Sequence, residues 1–274
     1  MRVFLSADIE GVNGVVAATH YDTAGGTYGH ARSWMVEEVN AAIRGARIGG
    51  ATEFVVKDAH GPATNILLHD LEAGASLIGG WGPVGSMVEG VDASFSALML
   101  VGYHARVGTE RGVLSHTIGG AVRGVRINGT PTGEAGLSAM YAGHFGVPLA
   151  MIAGDAAAVE EAEALCPGVV GVAVKSGLTR KGALMLPIME ARRRVEEGAQ
   201  RAIESLGELK PFRPALPIRL EVDLPLEAAA ELCSFVPSVE RVAERTVGYE
   251  ACDAIDATRV FEVLLTLAGT VKEW

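Results

Sequence analysis

Three short apolar segments, each running directly into metal-ligating residue types, constrain most strongly what this chain can fold into. Val3 to Leu5 lead into Ser6-Ala7-Asp8-Ile9-Glu10-Gly11. Glu53-Phe54-Val55-Val56-Lys57 lead into Asp58-Ala59-His60-Gly61, and Ala97-Leu98-Met99-Leu100-Val101 into Gly102-Tyr103-His104. In an extended chain, residues two apart point to the same side, so Asp8 and Glu10 present two carboxylates together where the first strand ends. Like charges so close repel, and burying them unpaired is costly, so a positive group belongs between them; a divalent metal is the most economical one. Gly11 and Gly14 let the backbone turn away beyond them. One Asp-x-Glu pair alone is an ordinary strand end with solvated acids. The repetition is what carries weight, because open α/β sheets collect their sites at the carboxyl ends of strands.

The chain of 274 residues can bury a large core, as one big α/β domain or two modest ones. A net charge of -10 argues against nucleic acid and anionic membrane as partners. No apolar run reaches the roughly 18 residues of a spanning helix, and the first residues lack the pattern of a signal peptide, so a cytoplasmic location is expected. Cys166, Cys233 and Cys252 are scattered and odd in number, which points to a reducing compartment, excludes a Cys-rich zinc site and reads as small buried or half-buried apolar residues.

The pattern between the strands is helical where it is periodic. Ala31, Trp34, Met35, Val39, Ala42, Ile43 and Ala46 share one stripe, closed by Gly49-Gly50. Gly79 to Gly85 reads as a mobile loop without the features of a phosphate cradle. Gly112 to Thr117 reads as a short extended piece carrying His116, and Asn128-Gly129 as a hairpin turn within 125–130. Glu134 opens a helix through Tyr141 to Phe145, where its carboxylate could do no more than interact with the helix amino terminus. Strands at 149–153 and 169–174 and helices at 156–165 and 186–206 continue the alternation, with Asp155 either capping a helix or shaping the site. Arg192-Arg193-Arg194 reads as a solvated helix face. The evenly spaced prolines of 210–217 mark a linker or crossover, beyond which strands at 218–222 and 246–251 and helices at 226–233 and from 257 form a smaller unit. The expected fold is α/β: a layered sheet with helices on both faces, a metal site at the carboxyl ends of its strands, and a C-terminal α/β subdomain. The division falls as 1–210 and 211–274.

Asp8, Glu10, His60, His104 and Glu134 together supply three carboxylates and two imidazoles. Oxygen and nitrogen ligands without sulfur suit zinc in a catalytic setting, with cobalt or manganese as alternatives. Five ligands exceed the needs of one zinc with an open position, and suffice for two if Asp8 bridges. Two such ions can hold a hydroxide and polarise a carbonyl, which is how an amide is cleaved at neutral pH. His20, His30, His69 and His144 fall in loops or on helices and are not expected to be ligands.

Over most of its length the sequence also resembles the zinc-dependent D-aminopeptidases of the M55 peptidase family. The resemblance rests on Ser6-Ala7-Asp8-Ile9-Glu10-Gly11, Lys57-Asp58-Ala59-His60-Gly61, Ser86-Met87-Val88-Glu89-Gly90, Gly102-Tyr103-His104-Ala105, Gly112-Val113-Leu114-Ser115-His116 and Gly133-Glu134. It implies a dinuclear zinc centre on Asp8, Glu10, His60, His104 and Glu134, a catalytic role for His116, and a ring-like homo-oligomer, a decamer in the typical member, with sites facing an internal channel. Lys57 and Ala59 depart from the family pattern, where Asn and Ser are common. They leave the metal set intact and bear on substrate preference and on hydrogen bonding around the ligands. By itself His116 is a lone histidine on an apolar stretch; in a metal cleft its imidazole could move protons or stabilise an oxyanion.

The expected function is release of an N-terminal residue, of D configuration, from short peptides by metal-activated water. Two other readings fit the same ligands: another metal-dependent hydrolase, such as an esterase, phosphoesterase or amidase, and a non-catalytic peptide-binding ring whose metals only hold strand ends together.

Overall fold

The computed structural model describes residues 1–82 and 85–272, so Pro83 and Val84 of the loop expected at 79–85 lie outside the described residues. In chain order the elements are β1 (Arg2–Ala7), α1 (Ala18–Tyr21), α2 (Tyr28–Ile48), β2 (Glu53–Asp58), β3 (Ala75–Ile78), β4 (Ala97–Tyr103), β5 (Gly124–Ile127), β6 (Thr130–Pro131), α3 (Glu134–His144), β7 (Leu149–Asp155), α4 (Ala156–Leu165), β8 (Val170–Thr179), β9 (Gly182–Met185), α5 (Ile188–Glu204), β10 (Ile218–Asp223), α6 (Glu227–Cys233), β11 (Glu240–Ala243), β12 (Thr246–Ala251) and α7 (Ala254–Thr270).

Among the described residues these strands form two sheets. The first runs β3-β2-β1-β4-β7-β8-β9, parallel throughout except for β9. Its central strands are buried along nearly their whole length and mostly apolar, because both faces are covered. Along β1, Val3, Leu5 and Ala7 face a core shared with α2 and α5, and Phe4 faces the opposite core with α3 and α4. Likewise Met99 and Val101 of β4 enter the first core, Leu98 and Leu100 the second. The helices on both faces expected from the alternating pattern are present.

The strand order reverses between β1 and β4, so the crevice of this α/β sheet opens at their carboxyl ends. Two glycines allow the two chain ends to close on each other there. A Cβ on Gly11 would overlap the carbonyl of Tyr103, and one on Gly102, whose φ is +75, would overlap the carbonyl of Asp8. Backbone bonds Asp8 N–H to Val101 O (2.9 Å) and Gly11 N–H to Gly102 O (2.7 Å) extend the pairing past the strands. Asp8 and Glu10 are thereby held beside His104.

The second sheet runs β11-β12-β10-β5-β6, antiparallel, and packs against α6 and α7. The Asn128-Gly129 turn forms as the sequence indicates, with both residues at positive φ. Its hairpin pairs with β10, nearly a hundred residues later, so the chain beyond 210 is knit to the earlier part by one shared sheet. Cys166 and Cys233 are buried as expected, whereas Cys252 is exposed. Arg193 and Arg194 pair with Glu190 and Glu197 on the solvated face of α5, but Arg192 leans toward Glu37 on α2. No helix among the described residues is long and apolar enough to cross a membrane.

Candidate metal centre

Each strand end contributes one part of a buried cluster. Asp8 and Glu10 follow β1, His60 follows β2, His104 follows β4, and Glu134 is the first residue of α3; all five side chains are buried. Asp8 lies between the two imidazoles: its Oδ1 is 3.2 Å from His60 Nδ1, and its Oδ2 is 3.5 Å from His104 Nε2. Glu10 Oε2 is 3.0 Å from His60 Nδ1, and Glu134 Oε2 is 3.2 Å from His104 Nε2.

The backbone fixes which nitrogen each imidazole turns inward. His60 Nε2 donates to Tyr21 O (2.9 Å) and His104 Nδ1 to Ala105 O (2.9 Å), which leaves His60 Nδ1 and His104 Nε2 facing the carboxylates. His116 follows the same rule, with Nδ1 donating to Leu114 O (2.9 Å) and Nε2 lying 3.9 Å from Glu134 Oε1. Its ring stacks on that of His104, centroids 4.1 Å apart and nearly parallel.

Asp8 Oδ2, Glu10 Oε2 and His104 Nε2 are buried without a hydrogen-bond partner. Their neighbours are close enough to attract but are not directed for a hydrogen bond. Orphaned buried polar atoms are costly, and three that converge mark a place for a ligand other than protein. Two groups of ligand atoms lie within 4.8 Å of one another: Asp8, Glu10 and His104, and His104, His116 and Glu134. The oxygen and nitrogen donor set fits a divalent transition ion.

The electrostatics record the same crowding. Burial and then the neighbouring Glu10 charge push the Asp8 carboxyl up to about 7. Burial opposes ionisation of Glu10 and Glu134 as well, yet the imidazoles beside them hold both below the ordinary carboxylate range. Burial alone would lower the histidines. Against it, Asp8 and Glu10 raise His60 to about 11, and chiefly Glu134 raises His104 to about 10. With only protons available, the carboxylates keep both imidazoles charged, and a cation would take the place of those protons.

The His116 loop departs from the extended piece expected at 112–117. It is a series of turns with Arg111, Leu114 and Ile118 at positive φ, tied down from outside: Leu114 N–H donates to Arg180 O (2.8 Å) and Val113 N–H to Asp155 Oδ2 (2.8 Å). Backbone held in this region by its surroundings clusters at functional sites. Asp155 therefore shapes this loop. Glu134 does more than sit at a helix terminus, because its Oε1 also accepts the Ile118 N–H at 2.5 Å. His20 accepts the Val16 N–H, His30 stacks on Trp34, and His69 and His144 lie away from the cluster.

Sequence reasoning missed Lys175, at the end of the Val172-Ala173-Val174 run of β8. Its buried ammonium donates to the carbonyls of Glu10 (2.5 Å), Val12 (2.9 Å) and Val15 (2.6 Å), fixing the loop that carries Glu10. A lone lysine ending an apolar strand was the available signal. Lys57, one of the two departures from the family pattern, is also fully buried. It donates to Asp58 O (2.8 Å) and Gly80 O (2.6 Å) with its Nζ 4.7 Å from the centre of the Trp81 ring.

Residues 1–263 match the peptidase M55 family, D-aminopeptidase. A D-aminopeptidase of Bacillus subtilis (strain 168) is 35% identical over 269 residues, which is 98% of each chain. Among solved structures, the Zn-dependent D-aminopeptidase DppA from Bacillus subtilis, described as a self-compartmentalizing protease, superposes over 100% of both chains with a TM-score of 0.96 at 34% identity. A match of this extent in sequence and in structure places the chain in the M55 peptidase family of D-aminopeptidases.

Proposed function

We propose that the protein is a cytoplasmic, dinuclear zinc aminopeptidase that removes an N-terminal D-residue from short peptides. The observation that carries this reading is the convergence of Asp8 Oδ2, Glu10 Oε2 and His104 Nε2, buried and without partners, at the switch point of the sheet. In this reading Asp8, Glu10 and His60 would hold one ion and Asp8, His104 and Glu134 the other. When bound, the metal would supply Lewis acidity toward the scissile carbonyl and an acidified water. Zinc dependence is a property of the Bacillus subtilis relative, and the donor set here suits the same metal.

The chain's own residues do the rest. His116 is half-buried beside the ligands, and its fixed tautomer presents Nε2 to the cleft, where it can give or take a proton on the substrate. The cleft, about 350 Å³, is walled by Trp81, Met87 and Ile118 above the polar floor, so a side chain rests on apolar surface while the reacting bond faces the carboxylates and imidazoles.

The reading extends to a closed ring of identical subunits with active sites on an internal channel, as a self-compartmentalizing relative suggests. Leu178 and Leu184 on β8 and β9 and Met189 at the start of α5 are each more than two-thirds exposed, which suits surfaces covered by another subunit. Within each subunit, we read 211–274 as the C-terminal subdomain.

Elemental analysis of the purified protein, combined with turnover of matched D- and L-amino-acid p-nitroanilides, tests the proposal. About two zinc ions per chain with preferential release from the D substrate is the expected result. Intact activity after complete removal of metal would overturn it. Light scattering should report a large assembly, and a monomer at micromolar concentration would remove the channel.

A further inference from the structure

A second cavity, about 530 Å³, meets the first at Glu10, Tyr21 and His116, so one cleft passes through the metal centre with His116 at the divide. The two arms differ in charge. The first is lined by Asp8, Glu10, Asp22 and Glu134 and by no lysine or arginine. The second has Glu10 as its single carboxylate, and it holds Arg123 and Arg180.

Both arginines are braced by the loop that carries His116. Arg180 Nε donates to Ser115 O (3.2 Å), and Arg123 Nη1 donates to Gly120 O (3.0 Å) and Val122 O (3.4 Å). Neither makes an ion pair with a carboxylate among the described residues, whereas Arg44, Arg126, Arg193 and Arg194 all do. In a chain of net charge -10, what sets this arm apart is that two guanidiniums outside any ion pair among the described residues line it against a single carboxylate, Glu10.

We infer that this arm is the subsite for the C-terminal carboxylate of the substrate, with Arg123 and Arg180 selecting short peptides with a free carboxyl end. A short peptide is itself a dipole, an ammonium at one end and a carboxylate at the other. Of the carboxylates in the first arm, Asp22 stands outside the proposed ligand set and suits the ammonium, and the guanidinium forks suit the carboxylate, which they can bind through paired N–H donors. The first peptide bond then lies across the centre. A long peptide presents neutral amides where a short one presents its carboxylate, and gains nothing from the arginines. The inference rests on the aminopeptidase reading above.

The test compares D-leucyl-glycine with its C-terminal amide, following released D-leucine. In the wild type, kcat/KM should favour the free acid by about tenfold or more, mainly through KM, as expected for a charge-assisted hydrogen bond. Arg180→Gln and Arg123→Gln should each pull that ratio toward one, and Arg180→Lys should retain part of it. Because the ratio is taken within one variant, a general loss of stability does not imitate the effect. Equal kcat/KM for acid and amide in the wild type, or a preference unchanged in both glutamine variants, would overturn the subsite. Release of D-leucine from neither compound would instead overturn the aminopeptidase reading, and the subsite with it.

Discussion

Two clusters of charged side chains among the described residues are built on opposite plans. On the second sheet, Arg126 reaches Asp223 through two nitrogens (2.6 and 3.0 Å) and Glu221 through a third (2.8 Å), and Thr246 donates to Asp223 as well. Every member has a partner, and the side chains keep between 26 and 30% of their surface in contact with solvent. At the switch point of the first sheet, three carboxylates crowd two imidazoles at the buried floor of the cleft, and three ligand atoms are left without hydrogen bonds. A cluster made for stability resembles the first. The second is costly as protein alone, because unpaired groups in a low dielectric lose their hydration with nothing in return. Such atoms also occur singly elsewhere, at Asn13, Glu38 and Glu262 among others, so the contrast teaches that their convergence on one point, and not the mere presence of charge, distinguishes a site for a ligand.

The largest expected effect tests that contrast at its centre. Asp8→Ala removes the group placed between both imidazoles and should lose the most metal, with activity down by about 10³-fold or more, as several kcal/mol of charge stabilisation disappear. His60→Ala and His104→Ala should likewise lose metal and activity together. Full metal content in Asp8→Ala, read by elemental analysis, would remove the bridging assignment.

His116 sharpens the comparison, because it touches the cluster without being completely enclosed by it. If it moves protons, His116→Ala should keep both ions and the fold while kcat falls by ~10²- to 10⁴-fold. It also stands within ligand distance in the group with His104 and Glu134. Loss of metal in parallel with His104→Ala would make it a ligand, and full activity would make it a packing residue.

The two clusters should also respond differently to protons. In the metal-free protein His60 is raised to about 11 and His104 to about 10, so both are charged at neutral pH. Since folded values lie above unfolded ones, these charges stabilise the metal-free fold fully below about pH 6.5 and cease to as pH rises through 10 to 11. A ligand imidazole must be neutral, so metal uptake near pH 7.5 should expel about two protons per chain, and apparent affinity should rise with pH. Titration of the metal-free protein in unbuffered solution counts the protons directly; release of none would mean that the histidines are not both charged beforehand and ligands afterwards.

Much of the first sheet is legible in the sequence, because buried parallel strands are continuous apolar runs and their ends carry the chemistry. The grouping of Asp8, Glu10, His60, His104 and Glu134 is legible too, since each ends a strand or opens a helix and the structure brings the five together. The remainder depends on contacts distant in sequence. Gly112 to Thr117 has the composition of a strand, but the bonds from Leu114 to Arg180 and from Val113 to Asp155 hold it in turns. The pairing of 124–127 with 220–223 leaves no local signal either, and it joins the tail to a hairpin that the prolines of 210–217 appear, in sequence, to divide from it. Lys175 supports Glu10 from 165 residues away, so its three carbonyl partners are visible only after folding.

The smallest effect is expected at the satisfied cluster. Arg126→Met breaks two ion pairs, but Asp223 and Glu221 are open enough to regain water, so the loss should be about 1 kcal/mol, or roughly 2 °C in Tm. Metal content should not change, because none of these residues approaches the switch point. The pH dependence has a definite sign. Burial would raise the Asp223 carboxyl, but Arg126 and Thr246 outweigh it and hold it below its ordinary 3.8. A depressed carboxyl contributes stability that is present above its unfolded value and lost as pH falls through the folded one, so the gap between wild type and variant should close below about pH 4. Thermal melts of both proteins from pH 3 to 8 measure it. A gap of several kcal/mol, or metal lost from the variant, would show that the two clusters are coupled and that the contrast between them is drawn in the wrong place.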